Sequence, residues 1–221
     1  SDVYKRQVHE NGSLGKTECW YILDCPEGAT LVVGHNAKDK EECAKMIHEG
    51  RWSEFIREVP IRKGDFVSIV PGTVHAIKAG VMLLETQQNS DITYRVYDYD
   101  RLSNGRKREL HIEKSIDVIN APASPAQDSI HNFANVRKNK PVLMEKSAYY
   151  KVWKLVVEDG SELQLSREKD FDSSYLLASV VAGSGYINGT AIKKGDHFIV
   201  TNECDSLSFS GDMEIILSAQ I

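Results

Sequence analysis

The sequence predicts a mainly β protein made of two β-sandwich or jelly-roll halves, with a helical insertion in the first half and a helix-containing linker between the halves. Three observations predict this class. Short β-rich segments recur near both ends of the chain between Gly and Pro residues. Residues 38–58 instead carry apolar side chains at helical spacing. The hexapeptide at residues 61–66 returns almost unchanged at 192–197, which favours a duplicated β unit, although a Lys-Gly-Asp turn can also recur by chance.

The strand pattern sets the predicted domain boundaries. We expect a first domain over residues 1–100, a linker over 101–146 and a second domain over 147–221. The linker combines a weak helical pattern with a Pro- and Ala-rich run that breaks regular structure. The predicted strands are 17–24, 29–34, 65–70, 81–86, 93–99, 150–157, 174–181, 197–201 and 214–218.

Composition excludes several classes of function. The chain has 221 residues, 41% hydrophobic and 27% charged, which is typical of a globular protein with its own core. A net charge of −5 argues against a nucleic-acid binder, and no apolar run approaches the roughly 20 residues that span a bilayer. The four cysteines form no C-x-x-C pair, which favours free thiols in a reducing cytoplasm over a zinc finger or a redox dithiol. No feature indicates an oligomeric state.

Residues 64–75 read as a turn, an apolar strand, a Pro-Gly bend and a histidine. The bend at Pro71-Gly72 would direct His75 into the mouth of the sandwich, where imidazole is a good metal ligand. A lone histidine more often has a structural role, so the complete Pro-Gly-x-x-His frame carries this prediction. The second half has Asn202 and Ser206 in the equivalent positions. We therefore expect that half to be metal-free.

Two further groups of polar residues stand beside predicted strands. Glu18 begins an apolar strand, where its carboxylate can point inward and join an imidazole as a zinc ligand, although most glutamates at strand ends are solvated. Arg95 lies in a polar stretch between strands and could bind an oxyanion or a phosphate. A surface ion-pair network is the alternative reading of that stretch.

Together these stretches resemble the type I mannose-6-phosphate isomerases of the cupin superfamily, in their short bacterial form. The resemblance runs from His9 onward through E-N-G-S-L-G-K-T-E-C-W-Y-I-L, P-G-T-V-H-A-I, L-E-T-Q-Q-N-S-D-I-T-Y-R-V-Y-D-Y-D-R and K-K-G-D-H-F-I. It implies a cytoplasmic two-cupin enzyme that binds one zinc ion per chain. It also implies that the substrate is a small phosphosugar, with mannose 6-phosphate and fructose 6-phosphate interconverted through a cis-enediol.

The resemblance also assigns residues to roles. Glu18 and His75 match two zinc ligands of the family, and Arg95 matches its active-site arginine. Lys16 and Glu85 match polar residues that line the family's pocket, and either could move the proton between C2 and C1. The zinc ion would polarise the sugar oxygens, and Arg95 would stabilise developing negative charge or position the sugar.

One element of the family pattern departs in this sequence. The family's other zinc ligands form a Gln-x-His pair, which Gln7 and His9 spell, but His9 stands only nine residues before Glu18 and no proline follows it. We expect His9 not to be a ligand and the true pair to precede residue 1, with an N-terminal segment of the fold. Such a truncation would put the activity of this chain in doubt.

Two other functions remain open at this point. The first is a non-catalytic cupin module that binds a sugar, which the missing pair favours. The second is a cupin dioxygenase, which needs two histidines and a carboxylate as metal ligands. Only His75 has a well-framed ligand position, so the dioxygenase is disfavoured.

Overall fold

The protein divides into two compact units in the structure, a computed structural model that describes residues 15–90, 93–99, 101–158 and 162–221. The first unit ends at His131, and the second is Asn132–Ile221. Residues 101–131, expected in the linker, belong to the first unit, and 132–146 belong to the second. No helix in the described part of the chain is long and apolar enough to cross a membrane.

The first unit contains short strands around a helical insertion. Its helices are α1 (Lys40–His48), α2 (Trp52–Phe55), α3 (Ile112–Val118) and a short 3-10 helix (Ala126–Asp128). Its strands are β1 (Glu18–Asp24), β2 (Thr30–His35), β3 (Ile56–Pro60), β4 (Asp65–Ile69), β5 (His75–Ala76), β6 (Met82–Gln87), β7 (Leu102–Ser103), β8 (Arg106–Lys107) and β9 (Ile130–Asn132), which ends at the boundary.

Two sheets enclose the core of the first unit. One sheet has the strand order β6-β1-β4-β9, and the other has β3-β2-β5. Side chains from β1, β2 and β4 form one buried cluster between them, as expected for a sandwich. The cluster contains Trp20, Ile22, Leu31, Val33, Ile61, Val67 and Ile69. The mainly β fold is therefore confirmed.

The helical insertion forms as the spacing predicts. Asp39 caps α1 by accepting the backbone N–H of Glu42 at 2.8 Å, and the Glu42 carboxylate accepts the N–H of Lys38 at 2.8 Å. The apolar face of α1 packs with Phe55 of α2 and with α3 in a second buried cluster. Residues 56–58, at the end of the predicted helical region, instead pair with β2 as part of strand β3.

The second unit is built on one large antiparallel sheet. Its strands are β10 (Val142–Lys146), β11 (Tyr150–Val157), β12 (Leu163–Ser166), β13 (Leu176–Ile187), β14 (Thr190–Lys193), β15 (His197–Val200) and β16 (Ser206–Gln220), with one short helix, α4 (Arg167–Phe171). The order is β10-β11-β16-β13-β14, and β12 and β15 pair with β16 and β13. The long β13 and β16 let the sheet curl around a buried core.

The repeated hexapeptide forms the same turn in both units. The backbone N–H of Arg62 donates to the Asp65 carboxylate, and that of Lys193 donates to the Asp196 carboxylate, each at 2.8 Å. The backbone N–H of Asp65 donates to the Arg62 carbonyl at 3.1 Å, and that of Asp196 donates to the Lys193 carbonyl at 2.9 Å. The intervening glycines have φ values of 87° and 94°, which only glycine adopts without strain. The sequence repeat is thus also a structural repeat.

A buried histidine joins the sandwich to the helical insertion. His35 is 3% exposed and stacks on Phe55 with 5.0 Å between ring centroids. Its Nε2–H donates to the Asn120 carbonyl at 2.8 Å, and its Nδ1 accepts the N–H of Ala37 at 3.2 Å. Burial lowers the pKa of His35, and the accepted hydrogen bond requires the neutral ring.

We predict that His35 makes the first unit less stable in mild acid. Below about pH 6.5 the imidazole is protonated in the unfolded chain but stays neutral in the folded one. As the pH is lowered, the free energy of unfolding therefore falls by up to about 1.4 kcal/mol per pH unit. In His35→Gln this dependence should weaken, as measured by urea unfolding between about pH 5 and 7. His131→Gln, at an exposed position, is the control. Equal pH slopes in all three proteins would contradict the prediction.

Candidate active site

A tight turn after β4 delivers the histidine of the Pro-Gly-x-x-His frame. The Thr73 N–H donates to the Val70 carbonyl at 3.2 Å across Pro71 and Gly72. Gly72 has a φ of 84°, as the third position of a type II turn requires. The chain reverses here and begins β5 at His75.

Asn120 stabilises this turn with two hydrogen bonds. Its side-chain amide donates to the Pro71 carbonyl at 2.9 Å, and its backbone N–H donates to the Gly72 carbonyl at 3.0 Å. Because the Asn120 carbonyl also accepts from His35, one residue connects the helical insertion to the turn that carries His75. Residue-pattern analysis did not single out Asn120, since no local motif marks it.

A buried carboxylate lies against His75. Glu18, the first residue of β1, is 1% exposed, and its Oε1 lies 2.9 Å from His75 Nε2. Its Oε2 lies 2.7 Å from Lys16 Nζ. Trp20 presents its ring edge-on to the imidazole at a centroid distance of 5.5 Å. Glu18 is thus buried at the start of β1, the inward position that its place in an apolar strand allowed.

The electrostatic environment separates the two glutamates of the site. Burial raises the pKa of Glu18, but hydrogen bonds and charges from His75 and Lys16 outweigh it and lower that pKa to about 2. Burial and the neighbouring Glu18 charge raise the pKa of Glu85, whose Oε1 lies 3.8 Å from Lys16 Nζ. Lys16 also donates to the side-chain oxygen of Gln87 at 2.5 Å. Glu18 is therefore held as a carboxylate, and Glu85 is easier to protonate.

Both ring nitrogens of His75 face oxygen atoms. Nδ1 lies 2.8 Å from the Thr73 carbonyl, so it carries a proton and donates it. Nε2 then lies 2.9 Å from Glu18 Oε1, a separation at which a ring proton or a bound metal ion can join the two atoms. A metal-bound histidine commonly donates its other N–H to a backbone carbonyl. The donor pair therefore fits a metal ion on chemical grounds.

The described residues supply only part of a metal site. Across residues 15–90, 93–99, 101–158 and 162–221, no three His, Cys, Asp or Glu side chains come together as a complete metal site would need. Gln7 and His9, which sequence analysis considered and set aside as ligands, lie outside the described residues.

A cavity of about 480 Å³ in the first unit collects most of the predicted site. Lys16, His75 and Arg95 line it, although they come from three distant parts of the sequence. Glu18 contacts two of these residues, and Glu85 lies beside Lys16. The structure thus brings all five predicted site residues into one neighbourhood.

Two hydrogen bonds with His111 hold the backbone of Arg95. The Arg95 N–H donates to His111 Nδ1 at 3.2 Å, and the His111 N–H donates to the Arg95 carbonyl at 2.8 Å. Among the described residues its guanidinium donates only to the Glu109 carbonyl, at 3.3 Å. The strand predicted over 93–99 is wrong: its described residues form none, and these contacts join them to the segment before α3.

A second cluster, which sequence reasoning missed, stands on the same cavity wall. Asp98 is 5% exposed and accepts hydrogen bonds from both Arg101 and Arg108. Hydrogen bonds from Arg108 and then from Arg101 hold the pKa of Asp98 far below its usual range. Asp98 and Arg101 lie in a stretch whose polar density was noted, but Arg108 carried no signal because its partner is ten residues away.

Comparison with known proteins decides the family. A family described as "Mannose-6-phosphate isomerase, cupin domain" matches residues 143–220. Mannose-6-phosphate isomerases of Bacillus subtilis and Streptococcus mutans are 43% and 44% identical over 216 and 220 residues. A crystal structure of the Bacillus subtilis mannose 6-phosphate isomerase superposes with a TM-score of 0.79 at 36% identity, covering 98% of this chain and 68% of that one. The chain belongs to the mannose-6-phosphate isomerase family.

The predicted family and its cupin architecture are therefore confirmed. This member spans 66% of the length of the Bacillus subtilis and Streptococcus mutans relatives, while 96% of its own residues align with each. The alignments thus include both the first unit, with its cavity, and the second unit, which the cupin-domain family matches.

We predict that Glu18 contributes acid-sensitive stability to this member of the mannose-6-phosphate isomerase family. A lowered carboxyl pKa favours folding above the ordinary value of 4.5, and that contribution is lost as pH falls toward about 2. Without metal, the free energy of unfolding should exceed that of Glu18→Gln by on the order of 2 kcal/mol near neutral pH. The gap, measured by urea unfolding, should narrow below pH 4.5.

Glu27→Gln is the matched control, since Glu27 is exposed in the turn after β1. A gap between wild type and Glu18→Gln that stays constant or widens in acid would contradict the prediction.

Proposed function

We propose that the chain is a zinc-dependent aldose-ketose isomerase that interconverts mannose 6-phosphate and fructose 6-phosphate. One observation carries the proposal: Lys16, His75 and Arg95 converge on one cavity, with the Glu18 carboxylate buried against two of them. An enediol reaction needs a group that moves a proton, groups that bind a cation, and an arginine that pairs with no carboxylate of the described residues and can face developing negative charge.

Glu18 and His75 would hold the zinc ion. Their oxygen and nitrogen donors suit zinc, and the Thr73 carbonyl fixes the ring so that Nε2 points at Glu18. Bound there, zinc would act as a Lewis acid that polarises the sugar oxygens at C1 and C2.

Lys16 and Glu85 are our candidates for moving the proton between C2 and C1. Lys16 lines the cavity, and Glu85 stands 3.8 Å from its ammonium group. The raised pKa of Glu85 brings this carboxyl closer to the pH at which it can both accept and return a proton. Glu18 has the opposite shift, so it suits a permanent negative charge rather than proton transfer.

Arg95 would stabilise negative charge on the enediol oxygens. Among the described residues no carboxylate pairs with its guanidinium, so the charge remains available to a ligand in the cavity. Fixed donors aimed at developing charge are among the largest contributions to catalysis. The two hydrogen bonds with His111 hold the Arg95 backbone in place.

We also propose that the enzyme works in the cytoplasm. Its four cysteines are free thiols, and Cys19 and Cys43 are buried. Free thiols persist where the compartment is reducing.

We predict that Arg95→Ala loses about 100-fold or more in kcat, because the charge on the enediol would lose its fixed partner. A coupled assay that follows fructose 6-phosphate formation measures turnover, and metal analysis measures zinc, expected at one ion per chain in both proteins. Arg106→Ala, on exposed β8, is the matched control and should keep wild-type turnover.

The outcomes separate the two functional classes that the sequence left open. Near-normal turnover of Arg95→Ala would contradict the catalytic role of Arg95. Zinc and mannose 6-phosphate bound by the wild type without turnover would instead favour the non-catalytic sugar-binding module.

A further inference from the structure

The cavity wall near Asp98 carries more positive than negative charge. Among the described residues that line the cavity, Lys16, Arg95, Arg101 and Arg108 are basic and Asp98 alone is acidic. Glu18, just behind the lining, compensates Lys16 at 2.7 Å. The two arginines that share Asp98 and the unpaired Arg95 therefore leave an excess of about two positive charges, which matches a phosphate monoester at neutral pH.

Asp98 accepts hydrogen bonds from the same edge of both arginines, the edge formed by Nε and Nη2. Arg108 donates to it through Nε, at 2.7 Å, and through Nη2. Arg101 donates through Nε at 3.2 Å and Nη2 at 2.6 Å. Among the contacts with described residues, Nη1 of each guanidinium is left uncommitted. The arginine side chains are 64% and 37% exposed, whereas that of Asp98 is 6% exposed.

The local backbone fixes this arrangement. The Arg101 N–H donates to the Asp98 carbonyl at 3.0 Å, while Tyr99 takes a left-handed φ of 53°. The hairpin of β7 and β8 then returns the chain, so that Arg108 lies opposite Asp98 and His111 opposite Arg95. A carboxylate that binds two arginines, one before and one after the hairpin, fixes the orientation of both guanidinium groups.

A buried hydroxyl on the same cavity points to a ligand independently. Ser115 of α3 is 2% exposed and lines the cavity, yet its Oγ has no hydrogen-bond partner among the described residues. A buried polar group without a partner costs free energy unless a bound molecule satisfies it. A phosphate oxygen would accept a hydrogen bond from this hydroxyl.

We propose that Arg101 and Arg108, oriented by Asp98, form with Ser115 the subsite that binds the phosphate group of the sugar phosphate. The proposal rests on the proposed function for the identity of the sugar, but the subsite itself recognises any phosphate monoester that fits the cavity. In this arrangement Asp98 is a positioning residue, since it contacts the arginines and not the ligand.

The first experiment removes one guanidinium. In Arg108→Ala the KM for mannose 6-phosphate should rise about tenfold or more with kcat nearly unchanged, because the lost hydrogen bonds are made to a charged group away from the reacting carbons. Arg108→Lys should restore part of the affinity. Arg106→Ala, on the same hairpin, is the control and should leave KM unchanged.

The second experiment separates positioning from simple charge. Asp98→Asn makes the cavity more positive, so a purely electrostatic site would bind inorganic phosphate more tightly. If Asp98 orients the arginines, the dissociation constant for inorganic phosphate, measured by calorimetry, should instead rise several-fold. Thermal unfolding checks that the variant is folded, and Arg101→Ala, which leaves Asp98 paired with Arg108, provides the second test if it is not.

The failures of the two proposals are distinguishable. Turnover with an unchanged KM in Arg108→Ala would overturn the subsite and leave the isomerase standing. Unchanged or tighter phosphate binding in Asp98→Asn would overturn the positioning role of Asp98. Absent wild-type turnover with binding of mannose 6-phosphate that depends on Arg108 would support the subsite and overturn the isomerase. Unphosphorylated mannose, as the ligand without phosphate, should bind wild type and Arg108→Ala equally.

Discussion

The contact between the Glu18 carboxylate and the His75 imidazole is the interaction on which the site depends. A carboxylate that is 1% exposed is costly unless cations surround it, and His75 and Lys16 supply that surrounding from two different segments. The positions of the turn after β4 and of Lys16 before β1 are therefore linked through one buried charge. A metal ion in place of a ring proton would satisfy the same carboxylate.

Hydrogen bonds to backbone groups hold the segments around this contact. Asn120 holds the Pro71-Gly72 turn with two donated bonds and accepts one from His35. His111, the residue that precedes α3, forms two hydrogen bonds with Arg95. Residues on either side of α3 thus hold two segments that line the cavity: Asn120 holds the turn before His75, and His111 holds Arg95.

How far the sequence predicts this site follows from which determinants are local. Pro71, Gly72 and His75 were predictable because a type II turn needs its residues in a fixed order within a few positions. Glu18 was a candidate because it begins an apolar strand, but its burial and its contact with His75 are seen only in the structure. The polar stretch and the family resemblance together indicated Arg95, whereas Lys16 and Glu85 came from the resemblance alone.

The remaining features depend on contacts between distant residues. Residues 93–99 are rich in Thr, Val and Tyr, which predicts a strand, but the hydrogen bonds to His111 decide their path. Asp98 meets Arg108 only after the β7–β8 hairpin forms, and Asn120 meets Pro71 across 49 residues. Propensity does not encode such pairings, so the phosphate subsite and the Asn120 anchor emerged only from the structure.

Anomalous diffraction at the zinc edge, with crystals of the chain grown in zinc, locates the metal relative to Glu18 and His75. We expect one strong peak within about 2.0–2.2 Å of both Glu18 Oε1 and His75 Nε2, the usual distances of zinc to carboxylate and imidazole. That peak should vanish in His75→Ala crystals. A peak on other residues, or a Glu18–His75 pair that stays in contact without zinc at saturating metal, would contradict it.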